Sequence, residues 1–256
     1  YGDFLSRDGE LNEALQMFKK AASLDNGKFP IWSQIVFLES DLKEFELLDK
    51  DSQTAFEIFP THPTFYFFNG IANIQLKNYD KAIESLLAGK DMVIDNIELK
   101  AEFYQYLGDA FHAKKEHEKS DESYDKSLEL NPYNPYVLNN YSYYLSLRNE
   151  KLQLAETMAK EANNQVPDSP NFIDTHAWIL FLKGNYEEAE TLLNKAIALS
   201  TMPNGTILEH FGDVLFKLNK TEAAIDSWQK AKETGGASEL IEEKILKKLY
   251  VEPTPE

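Results

Sequence analysis

The 256-residue chain has no cysteine, which excludes disulfides, thiol catalysis and cysteine metal sites and says nothing of compartment. Basic residues are scarce: 26 Lys and Arg against 43 Asp and Glu leave a net charge of −17. Nucleic acid and anionic membrane surfaces demand concentrated positive charge, so neither is an expected partner. No apolar run approaches the roughly 20 residues of a membrane span. Histidine occupies only five positions. His112 and His117 stand closest, yet five helical residues rotate the second about 140° from the first, off the face that ligands at i and i+4 share. His62 falls in a turn, while His176 and His210 belong to different helices; all read as packed or surface residues. There is no Gly-rich phosphate loop, no HExxH and no GxSxG. The carboxylates are too numerous to single out an acid–base pair. The reading is non-enzymatic, with no cofactor and no metal.

What is present is a repeated pattern, plainest from Asn171 to Leu199. Ile173, Ala177 and Leu180 share one helical face. After the turn Lys183-Gly184-Asn185, so do Ala189, Leu192, Leu193, Ala196 and Leu199. Neither helix hides such a face alone, so the pair must pack on itself and on its neighbours. The position of Ala177 recurs as Gly2, Val36, Gly70, Gly108, Ser142, Ala177 and Gly212, at steps of 34, 34, 38, 34, 35 and 35 residues. A second small position runs Ala14, Leu48, Ala82, Ser120, Ala155, Ala189 and Ala224. A third runs Ala21, Ala55, Gly89, Ser127, Ala162, Ala196 and Ala231. Short side chains let helices approach closely, which explains glycines inside helices despite a cost of about 1 kcal/mol each.

These ladders resemble the tetratricopeptide repeat, a unit of about 34 residues with small residues at set positions. Ala177 stands where that family has its Gly, and Ala189 and Ala196 at its two small positions. The resemblance implies an all-α superhelix of antiparallel helix pairs, a single solenoid over residues 1–250. The expected units are 1–26 (partial), 29–61, 63–94, 101–132, 135–167, 170–201 and 205–236, with a capping helix over 238–250 and a flexible tail at 251–256. Tyr1 corresponds to a unit's seventh position, so the chain starts inside a helix, as in a piece of a longer protein. Unit two departs most, with Val36, Glu39 and Leu48 in place of small or apolar residues, and its helices are expected to sit further apart. The four extra residues before unit four equal one helical turn and are absorbed by lengthening a helix near 91–101.

All ten prolines lie between units or in the tail, as helix starts and connections allow. The spacing Pro60-Pro63, Pro132-Pro135 and Pro167-Pro170 therefore reads as turns rather than as ligands for proline-binding domains. After Gly235-Gly236 the last helix presents Leu240, Ile241, Ile245 and Leu249 as its apolar face. Lys244, Lys247 and Lys248 near its end suit the helix dipole.

The resemblance also implies a place for function: a concave groove lined by the first helices, chiefly through their second, fifth, ninth, twelfth and thirteenth positions, where extended or helical peptides bind. The candidate residues are Phe67, Ile71, Gln105, Asp109, Tyr136, Asn139, Tyr143, Asp174, Trp178, Phe181, Glu209, Asp213 and Phe216. Family members that clamp a carboxylate use Lys and Asn at the fifth and ninth positions; here those are Phe67 and Ile71, Gln105 and Asp109, Asn139 and Tyr143, Asp174 and Trp178, and Glu209 and Asp213, so no carboxylate clamp is expected, and the asparagine ladder of the sugar-transferase relatives does not recur. Aromatic anchors beside acidic residues instead suit a basic protein or peptide partner with apolar anchors. Against that, Trp178 and Phe181 have an equal reading as packing residues, and Tyr141 and Tyr144 face inward.

The leading expectation is a non-enzymatic scaffold or adaptor that binds a peptide or helix in the groove. The alternative is the substrate-recruiting region of a larger enzyme, a protease or glycosyltransferase. A third reading is a structural homo-oligomer. The wealth of Asn, Lys and Tyr points to a bacterial source. With the missing cysteines and missing start, it suggests an envelope protein, periplasmic or with a lipid-anchored parent, cytoplasm being the alternative.

Overall fold

In a computed structural model, which describes residues 9–253, the turn inside each repeat is built the same way. One residue per turn takes left-handed backbone: Gly9, Lys43, Lys77, Lys115, Asn149, Gly184 and Asn219. The following N–H then reaches back to a carbonyl five residues earlier, as from Glu44 to Glu39 (2.9 Å), Asn78 to Asn73 (2.7 Å) and Lys220 to Leu215 (2.9 Å). This is the Schellman closure, which satisfies carbonyls that a helix end leaves open. Only two of these seven positions carry the glycine that the conformation favours.

Fourteen helices and no strand occur among the described residues. The second helix of repeat one is α1, Leu11–Leu24. Repeats two to four follow as α2 (Phe29–Asp41) with α3 (Phe45–Ile58), α4 (Pro63–Gln75) with α5 (Tyr79–Lys90), and α6 (Ile97–Ala113) with α7 (His117–Leu130). Repeats five to seven are α8 (Pro135–Leu147) with α9 (Leu152–Gln165), α10 (Pro170–Leu182) with α11 (Tyr186–Leu199), and α12 (Gly205–Lys217) with α13 (Thr221–Thr234). The last helix, α14, spans Ile241–Lys247. Expectations for Gly2 and Tyr1 lie outside the described residues.

First helices start on sequence signals. Pro30, Pro63, Pro135 and Pro170 occupy the first turn of α2, α4, α8 and α10. The side chains of Asn96, Asn134, Ser169 and Asn204 accept from the free N–H groups of α6, α8, α10 and α12. The four extra residues appear in α6, which has 17 residues where the other first helices have 13. The extra residue of repeat five lies in its turn, where Lys151 is left-handed as well as Asn149. The backbones of α2 and α3 approach each other less extensively than the helices of any other complete pair, consistent with Val36 and Leu48 standing at small positions.

The small positions are sealed. Ala55, Ala82, Ala155, Ala177, Ala189, Ala196, Ala224 and Ala231 have no exposed surface. A rule not apparent from the ladders links each first-helix small residue to the residue sixteen further on. A side chain placed on Gly70 would meet Leu86 at 2.5 Å, on Gly108 the Tyr124 ring at 2.8 Å, and on Gly212 the Trp228 ring at 2.4 Å. Where the first position is larger, at Val36, Ser142 and Ala177, the sixteenth residue is Ser52, Met158 or Leu193, all buried. In each pair the residue sixteen on thus fills the space over the first-helix small position, as close packing requires.

The packing divides the chain into two compact bodies, one ending at Pro132 and the other beginning at Tyr133. The core of the first is built on Leu15, Phe18, Trp32, Ile35, Leu48 and Phe65, continuing through Leu86, Phe103 and Leu107. That of the second is built on Ile173, Leu180, Leu193, Leu215 and Trp228.

The C-terminal helix is shorter than the expected 238–250. Ser238 turns its backbone and hydroxyl onto Glu209, at 2.6 and 2.5 Å, and Lys248 is left-handed, which ends the helix. Leu249, expected on its apolar face, is exposed.

Candidate interaction surface

In the N-terminal body, Phe67 is buried by ring contacts with Phe103 (5.2 Å) and Tyr106 (5.4 Å), while Ile71, Gln105 and Asp109 remain partly exposed. Asp109 accepts a hydrogen bond from the Tyr124 hydroxyl, so the candidate acid of repeat four is engaged by its own second helix. Burial, then Asp109 and Glu102, push the Tyr106 hydroxyl above its ordinary pKa. Phe37, at the corresponding ninth position of repeat two, is half-exposed and was not among the candidates.

In the C-terminal body the candidates separate sharply. Tyr136 is 61% exposed with its ring against Phe172 (5.6 Å), Tyr143 is only partly exposed beside Tyr144, and Asn139 is buried. Phe216 is half-buried against Trp228. Asp174, Trp178, Phe181, Glu209 and Asp213 are all buried.

For Phe181, Glu209 and Asp213 the burial has an identifiable contributor: the chain's own C-terminal segment lies on them. Lys244, 3% exposed, places its ammonium 2.7 Å from Glu209 Oε1 and 2.7 Å from Asp213 Oδ2. Trp228 donates its indole N–H to the other Asp213 oxygen at 2.9 Å. Tyr250 sets its ring edge-on to Phe181 at 5.4 Å, with Lys217 Nζ 4.4 Å above the ring. Trp178 is sandwiched between Phe181 (4.9 Å) and His210 (4.2 Å), and His210 Nδ1 lies 2.9 Å from Asp174 Oδ1.

Charges respond accordingly. Burial opposes ionisation of Glu209, but Lys244 and Ser238 outweigh it and hold the carboxyl below its usual range. Asp213 goes the other way, since burial raises it to about 6 in spite of Lys244. Burial disfavours a charged His210, and Asp174 reverses that, so its pKa is raised. The arrangement is a recess that accepts a cation between two carboxylates and an aromatic ring beside them.

Lys244 is the side chain of this recess that sequence reasoning misplaced, assigning it to the helix dipole. Its spacing contained the clue, because three residues after Ile241 and one before Ile245 it shares the apolar stripe of α14. Among the described residues no group of three or more His, Asp and Glu is placed to hold a metal ion. His112 and His117 have ring centres 5.9 Å apart. No helix among the described residues is long and apolar enough to cross a membrane.

Arrays of helix pairs closed by left-handed turns and sealed through small residues define a class of repeat protein. The tetratricopeptide-repeat profile matches this chain at residues 101–134 and 175–201. No curated protein sequence matches it. Among solved structures, a tetratricopeptide repeat protein from Parabacteroides merdae shares 16% identity at a TM-score of 0.71, over 96% of this chain and 95% of its own. The Cut9–Hcn1 hetero-tetramer of APC/C gives 14% identity and a TM-score of 0.79, over 96% of this chain and 47% of that one. YrrB, described as having an unusual peptide-binding site, gives 18% and 0.55, over 80% and 97%. The chain thus carries the tetratricopeptide repeat at those two stretches and has the all-α solenoid fold of such repeats, a fold of protein-interaction scaffolds.

Proposed function

We propose that this scaffold is non-enzymatic and holds a peptide or helix of a partner protein on the face made by the first helices of its repeats. The partner brings a basic side chain with apolar or aromatic residues near it. One observation carries the reading: in the C-terminal body that face already takes a segment of this chemistry, with Lys244 between Glu209 and Asp213 and Tyr250 against Phe181. A peptide-binding protein, YrrB, shares the fold, which is in keeping with it. Candidates that stay accessible to a second molecule are Tyr136, Tyr143 and Phe216 in the C-terminal body and Ile71, Gln105 and Asp109 in the other. The chain's net charge of −17 favours encounter with a basic partner.

Selection of a random peptide library on the full chain tests this. The expected consensus pairs Lys or Arg with aromatic or aliphatic residues. A Tyr136→Ser, Tyr143→Ser variant with unchanged helicity is expected to lose roughly tenfold or more in affinity, as interface aromatics usually carry at least that. Failure to select any peptide, or equal affinity for the variant, refutes the reading.

A further inference from the structure

The recess filled by Lys244 is built for a charged lysine. Its two carboxylates come from one face of α12, four residues apart, and both are buried. An uncharged side chain in place of Lys244 would leave Glu209 and Asp213 with the hydrogen bonds of Ser238 and Trp228 but no cation between them, which buried like charges tolerate poorly. The recess therefore discriminates by charge as well as by shape.

The occupant, in contrast, is lightly built. Its helix has seven residues, far below the length at which a helix persists alone. Of α14 only Ile241 and Lys244 are buried, while Leu246 is 81% exposed, and Leu249 beyond it also faces solvent. The segment follows Gly235 and Gly236, both at positive φ, whose carbonyls accept from the Gly205 N–H (3.0 Å) and the Thr206 hydroxyl (2.8 Å) at the start of α12, so any rotation that frees the segment acts beyond Gly236. Ser238 adds two hydrogen bonds, and both go to Glu209, the same carboxylate that holds Lys244.

We propose that the segment from Ser238 to Val251 is an internal occupant that masks this lysine recess, and that its competitor is a partner's segment carrying a lysine in a short helix and, past the helix's end, an aromatic ring six residues on. The competitor's chemistry is read from the groups it replaces: an ammonium between Glu209 and Asp213, and a ring against Phe181 under Lys217. Masking lowers the partner's apparent affinity by the fraction of time the recess stands open. This rests on the reading of the first-helix face as peptide-binding and adds to it a closed and an open state.

Two measurements on the full chain test the proposal. In native-state hydrogen exchange of the wild type, amides of Ile241–Lys247 are expected to exchange roughly tenfold or more faster than those of α12, because the segment opens without unfolding the repeats. In titrations with a fluorescent peptide of residues 238–253, the Lys244→Ala, Tyr250→Ala chain is expected to bind roughly tenfold or more tighter than wild type. The same peptide carrying Lys244→Met is expected to lose that binding. Exchange of the segment only together with α12 overturns the masking alone and leaves the peptide-binding face standing. The exchange measurement needs no variant to fold. Fast exchange with no peptide binding to the vacated chain overturns the masking and that reading together. A wild-type dimer abolished by Lys244→Ala would make the occupant a second copy's C-terminal segment and overturn the choice of partner.

Discussion

Replacing Gly212 by Ala should destabilise the protein, although the same change at an ordinary helical glycine would stabilise it. Alanine gains about 1 kcal/mol in helix propensity. Its methyl would stand 2.4 Å from Trp228 Cδ1 and Nε1 and 3.1 Å from the Ala224 carbonyl. Carbon atoms pack at about 3.5–4 Å, so the indole must retreat by about 1 Å. Trp228 has no exposed surface and is fixed by its bond to Asp213, hence the retreat loses a hydrogen bond to a charged group, about 1.5–3 kcal/mol. Overpacking adds about 1–3 kcal/mol. The net loss expected for Gly212→Ala is about 1.5–5 kcal/mol, and Trp228→Leu alone, which leaves a void, loses a similar amount. The double variant restores the filled volume and should recover about 1–3 kcal/mol relative to additivity. Urea denaturation followed by far-ultraviolet circular dichroism measures all four corners of the cycle. A Gly212→Ala chain as stable as wild type, or corners additive within about 0.5 kcal/mol, would refute the size-complementarity argument.

Lys43→Gly, Lys77→Gly and Lys115→Gly should each stabilise by roughly 0.5–1 kcal/mol in the same assay, since each lysine is left-handed, whereas Lys81→Gly inside α5 should cost about 1 kcal/mol. Asn134→Ala removes the acceptor for two N–H groups of α8 and should lower stability by about 1 kcal/mol. Glu39 is buried with Lys19 Nζ 2.6 Å away, and Lys19 also lies 2.8 Å from Asp51. Burial raises the Glu39 carboxyl to about 8, with Lys19 opposing and Asp51 adding to the rise. The folded chain then keeps a proton that the unfolded chain releases, so this group's contribution to stability should fall as pH rises from about 4.5 to about 8. Thermal melts of Glu39→Gln across that window should show a smaller decline than wild type and a gain of about 1 kcal/mol or more at the upper end; parallel curves would contradict the assignment.

The helices were legible because their signals are local and periodic. Small residues at Gly70, Gly108 and Gly212, first-turn prolines at Pro63, Pro135 and Pro170, and a one-turn insertion before repeat four all act within one helix or one junction. The turns were legible in place but not in chemistry, because Lys43, Lys77 and Lys115 adopt a conformation that Lys rarely takes. The pairing of Gly212 with Trp228 was missed because Gly212 was read down its own ladder rather than across the pair. The candidate surface was less accessible to such reasoning. Position along a first helix locates Trp178, Asp174 and Asp213 on one face, but the burial of Asp213 depends on Lys244 and that of Trp178 and Asp174 on His210 of the next repeat, and these are tertiary contacts. Lys244 looked like a solvated charge since a lysine's burial depends on finding two carboxylates from another element.

The account's central claim is that the first helices, not the second, hold the partner. Hydrogen-exchange footprinting of the full chain with a selected peptide bound tests it most directly. Added protection is expected along α8, α10 and α12 or along α4 and α6; protection confined to α5, α7, α9, α11 and α13 would contradict it.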